Sequence, residues 1–304
     1  MKTVQQLHDL LCERPFAQVD AHIHTHLCDG ASDMTVENIA RCAAERGMSA
    51  IILTPHFHKQ VRDESAVLYS DTDEAILLQL REQIEDYYAR HGRALTILLS
   101  TEADILDTDG TTALTLTRDG EAALDLVTPT VNYHPLLPLK AVEVTYGAKI
   151  CQIHADGLYA HYAQEAGGVR YLLQALYEAE VNAIRRSPYP CMLGHFLAAH
   201  SHAREQYSWF GAKPEHLDVM EQGAAAVLDV CAQRGAMIDL TGLHPVSETA
   251  QQKQERDGFF FDFQVRFLKQ CRERGVIALA GTDAHSLGMV GKMDYYAHLN
   301  TFVK

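Results

Sequence analysis

His22 and His24 lie two apart in DAHIHTH (residues 20–26), and Asp283 and His285 repeat that spacing in GTDAH (residues 281–285). On an extended strand alternate side chains share a face, so each pair can offer two donors to one ion. Asp20 falls on the face of His22 and His24 by the same period of two, and is read as the group that orients one of those rings from behind. Glu102 follows the apolar run LTILLS, where an uncompensated carboxylate would be costly to bury. His195 follows the short apolar run CMLG. Imidazole and carboxylate without thiolate suit zinc, manganese or iron. The chemistry expected of His22, His24, Glu102, His195, Asp283 and His285 is therefore hydrolysis at a cluster of metal ions.

The elements that must bring these residues together alternate along the chain. Strands are predicted over residues 17–24, 50–54, 95–100, 124–131, 191–194, 236–241 and 276–281. Helices are predicted over 35–46, 72–90, 169–186, 215–234 and 261–274, several of them closed by a glycine. DTDG (107–110) and TRDG (117–120) read as turns around a small hairpin. Residues 133–168, rich in Pro, Gly, His and Tyr, read as a functional loop over a site. Nearly every strand ends in a ligand-type residue, the second in TPHFH (54–58) and the fourth in NYHP (132–135). In parallel α/β architectures the C-terminal strand ends converge on one face, so residues more than 250 positions apart would meet there.

Composition narrows the function classes. The 304 residues carry 40 acidic and 26 basic side chains, a net charge of −14, which disfavours stable binding to nucleic acid or to an anionic membrane. Bound cations would offset that charge locally and leave a small anionic substrate possible. Seven cysteines without a CxxC argue against a zinc ribbon and for buried thiols in a reducing compartment. The first 18 residues read as an amphipathic helical extension rather than a signal peptide, and no run is long enough to span a membrane, so a cytoplasmic location is expected. No G-x-S-x-G elbow, P-loop or strand-linked G-x-G-x-x-G is present.

These motifs resemble the PHP (polymerase and histidinol phosphatase) metallophosphoesterases. DAHIHTHLCDGAS is similar to that family's D-x-H-x-H-[ST]-x-x-S-D-G, with Cys28 in place of the usual serine. TPH is similar to T-D-H with Pro55 for the acid, and GTDAHSLGMVG to the closing S-D-A-H and V-G. Residues 267–285 resemble the histidinol-phosphatase-type branch, and the likeness runs with gaps from residue 19 to residue 291. The resemblance implies an α/β fold, a distorted (β/α)7 barrel formed by residues 1–304 as one domain, with a trinuclear site at the strand ends. One ion would take His22, His24, Glu102 and Asp283. A second would share Glu102 and add His195 and a fourth-strand residue, and a third would take Asp29, His56 and His285. At the fourth strand, register with Asp125 points to Asn132. His134, two residues on, is preferred because imidazole binds such ions far better than an amide, and His154 is a remoter candidate.

The resemblance further implies hydrolysis of a small phosphate ester by a metal-bridging hydroxide, with Glu102, Asp283 and His285 in the catalytic positions. Arg204 is the first choice for a phosphate-binding cation, ahead of Lys59, Arg62 and Lys292, and His154 for a further substrate contact. His200, His202 and His244 are weaker substrate-side candidates. Two alternatives stay open: an amidohydrolase-type enzyme acting on C–N or C–O bonds, and a phosphodiesterase or exonuclease acting on nucleotides or short oligonucleotides.

Overall fold

The computed structural model describes residues 1–57, 62–63, 66–67, 74–131, 169–197, 214–241, 249, 251–252, 254 and 258–303. Helix α1 (Val4–Leu11) starts at a capping box in which the Thr3 hydroxyl accepts from Gln6 N while the Gln6 side chain accepts from Thr3 N. There follow β1 (Val19–Ile23), α2 (Val36–Glu45), β2 (Ala50–Leu53), β3 (His56–Phe57), β4 (Arg62–Asp63), β5 (Ala66–Val67), α3 (Glu74–His91), β6 (Thr96–Leu99) and β7 (Glu102–Asp104). Next come α4 (Arg118–Ala123), β8 (Thr128–Thr130), α5 (Val169–Arg186), β9 (Met192–Leu193), α6 (Leu217–Arg234), β10 (Met237–Asp239), α7 (Gly258–Glu273), β11 (Ala278–Leu279) and α8 (Asp294–Thr301).

The fold is mixed α/β with parallel sheets. Three three-stranded sheets run β1–β2–β6, β3–β7–β8 and β9–β10–β11, and β4 pairs antiparallel with β5. β2 and β3 lie on one strand line broken at Pro55, which has no N–H to donate; its carbonyl accepts from Glu102 N at 2.9 Å and from the Thr101 hydroxyl at 3.0 Å. β6 and β7 are broken opposite it. Isolated parallel bridges, Val127 with Cys191, Thr130 with Gly194 and Ile23 with Ala284, join the sheets. Each of the seven predicted strand positions is thus hydrogen-bonded to the next, and the last to the first.

The strands separate two apolar clusters. Val19, Ala21, Ala50, Ile52, Leu98, Leu126, Met192, Met237 and Leu279, drawn from all seven strand positions, pack together with Leu7 and Leu11 of α1. That contact explains why the N-terminal helix is amphipathic: its two buried leucines are each worth about 1.5–3 kcal/mol of burial. Ile23, Ile51, Leu53, Ile97, Leu99, Leu193 and Ile238 face the other way, into the larger cluster lined by the helices. Among the described residues no helix is long and apolar enough to cross a membrane.

Of three local features, one follows the expectation and two depart from it. DTDG does turn a small hairpin, with Ile105 bridged antiparallel to Thr112 and Gly110 at φ 79°. TRDG does not turn. The Thr117 hydroxyl accepts from Asp119 N and Gly120 N, so the same residues cap and begin α4. Helix α8 was not expected; its Tyr295 and Tyr296 are buried, and the Tyr296 hydroxyl donates to the Leu240 and Gly281 carbonyls.

Helices α5 and α6 pack where the Tyr177 ring lies directly over Gly223, a position with no room for a Cβ. One turn on, Glu180 is buried and its Oε2 makes no hydrogen bond among the described residues. Burial lifts its carboxyl well above the ordinary 4.5. The folded protein therefore keeps a proton that the unfolded chain releases, so stability falls as pH rises above that value. Glu180→Gln should remove this fall, leaving a melting temperature that declines less than the wild type's from about pH 5 to about pH 8. Parallel melting curves for the two proteins across that range would contradict it.

Candidate metal centre

The site begins with an irregularity in β1. Asp20 pairs with Ile51 and Ile23 with Leu53, so β1 holds one residue more than β2 between these points. The extra residue interrupts the period of two. Below it Val19 and Ala21 enter the small apolar cluster, and above it His22 and His24 reach the carboxylates of other strands. Asp20 is thereby taken off the histidine face, which corrects its expected role. It accepts from Thr282 N, the Thr282 hydroxyl and Gly291 N at 2.9, 2.7 and 2.7 Å, and pins the loop after β11 to β1.

Glu102 is wholly buried at the start of β7, with His56 beside it in register on β3. Its Oε2 lies 3.1 Å from His22 Nε2, 3.1 Å from His56 Nδ1 and 3.6 Å from His24 Nε2. Its Oε1 lies 3.8 Å from His195 Nε2. Asp29, half-exposed in the loop after β1, reaches His24 Nδ1 at 3.0 Å, His56 Nε2 at 3.1 Å and His285 Nε2 at 2.9 Å. Asp283 Oδ1 is 3.1 Å from His24 Nε2 and 3.8 Å from His285 Nδ1. The eight described residues of the nine expected ligands thus form one connected network of three carboxylates and five imidazoles. His134, Asn132, His154 and Arg204 lie outside the described residues, as do Lys59, His200, His202 and His244. His26, within the same motif, turns away and bonds the Met34 carbonyl at 3.1 Å.

Two of these residues sit in the left-handed backbone region, His195 at φ 54° and Asp283 at φ 53°, as does Leu197 at 72°. Such a conformation costs a non-glycine residue about 1–3 kcal/mol. The turn after β9 is held by Phe196 N donating to the Asp239 carbonyl at 3.0 Å, and by the buried Phe196 ring, 4.9 Å from that of Phe267. The loop after β11 is held by Asp20 and by Arg46, which donates to the Leu287, Gly288 and Val290 carbonyls.

The electrostatics follow from the pairing. Burial would raise the carboxyls of Asp29, Glu102 and Asp283, but neighbouring imidazoles outweigh it and hold all three well below the usual range. Burial alone would depress His22, yet the Glu102 charge and the bonds to Asp239 and Glu102 lift it to about 10; His24 is lifted similarly by Asp283 and Asp29. His195 goes the other way, lowered chiefly by burial. A divalent cation entering here would replace the protons shared by these pairs.

The donor set fits such a cation on two counts. Donors at roughly 2.0–2.2 Å from one ion stand about 2.8–3.6 Å apart in octahedral or tetrahedral geometry, close to the separations found. His195 Nε2, buried and without a hydrogen bond among the described residues, faces Glu102 across a slightly wider gap of 3.8 Å. Among the described residues, three groups have donor atoms close enough to share an ion: His22, His24 and Glu102; His22, His195 and Asp283; and His24, Asp29, His56 and His285. His24 therefore stands against the Asp29 group as well as against Glu102. Asp239 was missed in the sequence. It is wholly buried on β10 and its Oδ2 accepts from His22 Nδ1 at 2.8 Å, the orienting contact expected of Asp20. A lone acid inside the apolar AMIDLT was the available signal.

Comparison with solved structures finds the same fold in two proteins. The histidinol phosphate phosphatase of Lactococcus lactis subsp. lactis, solved with zinc, L-histidinol and phosphate, superposes with a TM-score of 0.56 at 13% identity, over 94% of this chain and 92% of its own. A Listeria monocytogenes protein described as a histidinol phosphatase gives 0.59 at 16% identity, over 90% and 97%. No curated protein matches the sequence. The PHP domain family profile matches residues 20–242, the span that carries the first motif, Glu102 and His195. The chain belongs to the PHP domain family of metal-dependent phosphoesterases.

Proposed function

We propose that this protein hydrolyses a small phosphate monoester, as a histidinol-phosphatase-like enzyme, at a centre of three divalent ions set at one end of a distorted (β/α)7 barrel. The observation that carries this reading is the single buried carboxylate of Glu102 with four imidazoles around it, joined through His24 and His56 to Asp29. The barrel reading is supported by the strand-to-strand pairing that returns from β11 to β1, and by the one apolar cluster shared by all seven strand positions.

His22, His24, Glu102 and Asp283 would hold one ion; Glu102 and His195, with His134, a second; Asp29, His56 and His285 a third. Zinc, manganese and iron all suit these donors. When bound, the ions supply Lewis acidity toward phosphate oxygens and toward water. The chain's own part is to hold the donors: Glu102 is fixed between β3 and β8, and Asp283 and His195 are fixed by strained turns. Asp29 and His285 are the most exposed of the set and form its mouth, where a phosphate would enter. Arg204 is the proposed phosphate cation and His154 a proposed substrate contact. The Lactococcus structure, with histidinol and phosphate, makes a phosphorylated amino alcohol the first substrate to try.

Purified protein supplied with manganese or zinc should release phosphate from a panel of phosphomonoesters. Hydrolysis of amides or lactones with no activity on any phosphoester would overturn the reading. His22→Ala and Asp283→Ala should each lose metal, by elemental analysis, and at least about 100-fold in phosphatase rate, while keeping the far-ultraviolet spectrum of the wild type. Unchanged metal content in both variants would sink the proposed ligand set.

A further inference from the structure

Four contacts converge on Asp239, and none of them follows from its being a ligand. Its Oδ2 accepts from His22 Nδ1 at 2.8 Å with both residues wholly buried. Its Oδ1 accepts from the Thr241 hydroxyl, two residues on, just past the end of β10. Its carbonyl accepts from Phe196 N at 3.0 Å, which fixes the chain one residue after His195. Its Cα pairs with Leu279 of β11, the strand that leads to Asp283. The space around the pair is closed: a Cβ at Gly281 would lie 2.8 Å from His22 Cβ and 2.9 Å from Asp239 Oδ1, and nearer still to the Thr241 hydroxyl.

We propose that Asp239, held by Thr241, is a positioning residue that sets the ring tautomer and orientation of His22, and through Phe196 the turn that carries His195. With the Nδ1 proton committed to Asp239, the lone pair of His22 is left on Nε2, the atom that stands 3.1 Å from Glu102. The carboxylate behind the ring also raises the basicity of Nε2 as a donor, an effect worth about 10–100-fold in metal affinity where such a partner is removed. Asp239 belongs to none of the three donor groups found among the described residues. The inference rests on the reading of His22 as a ligand.

Zinc titrations of metal-free protein against a chromophoric chelator separate the possibilities. Asp239→Asn keeps an acceptor for His22 but loses the charge, and should bind its weakest-held zinc about tenfold less tightly; Asp239→Leu loses both, for about 100-fold. Thr241→Val, which frees only Oδ1, should show the smallest loss. Nuclear magnetic resonance of the zinc-loaded, 15N-histidine-labelled protein gives a second readout. One zinc-bound ring should carry a slowly exchanging Nδ1 proton, retained in Asp239→Asn and absent in Asp239→Leu. If Asp239→Leu does not fold, the Asp239→Asn and Thr241→Val affinities decide the matter. Zinc affinity within twofold of wild type in Asp239→Asn, with only a lower melting temperature, would overturn the proposal and leave the metal centre standing. A wild type that takes up no zinc, manganese or iron would overturn both.

Discussion

A carboxylate with no exposed surface must be matched by positive charge or it will not stay ionised, and Glu102 has none of its surface in water. Every surrounding feature answers that constraint. Four imidazoles from β1 and the residue after it, β3 and the turn after β9 stand around its two oxygens, and three of them, His22, His24 and His56, are in turn matched by another acid. Asp239 serves His22, Asp29 serves His24 and His56, and Asp283 serves His24. With protons as the only cations, the network is a set of charged pairs. Divalent ions taking the place of those protons would find the same side chains as donors.

Holding eight donors within a few ångströms imposes strain, and the fold concentrates it at turns. Apolar side chains from all seven strand positions fill the space beneath the site, closed by Leu7 and Leu11 of α1. That apolar floor leaves the upper strand ends as the place where polar groups gather. The left-handed backbones of His195 and Asp283 then turn these side chains toward the cluster, each secured from behind by Phe196 and Asp239 or by Asp20 and Arg46.

Much of this was legible in the residues because two signals coincided. Short apolar runs such as AIIL and TILL predicted buried parallel strands, and each was followed by a ligand type. Neither signal alone separates an isolated loop histidine from one that joins a shared cluster; their repetition along the chain pointed to the cluster that the strand ends form. What escaped was geometry that periodicity cannot carry. The extra residue in β1 put Asp20 on the wrong face, since a strict period of two has no means of anticipating it. Asp239 sits within a strand rather than after one, so the strand-end rule passed over it. TRDG looked like a turn because Thr, Asp and Gly serve both turns and helix starts, and only the Thr117 cap decides between them.

The central claim is that these imidazoles and carboxylates hold metal ions about Glu102. Crystals of protein grown with zinc and measured on both sides of the zinc absorption edge test it most directly. The account predicts anomalous peaks within about 2.0–2.2 Å of the His22, His24, Glu102 and Asp283 donors, and a further peak among Asp29, His56 and His285. A map with no peak at Glu102, or with zinc held only at residues outside this network, would contradict it.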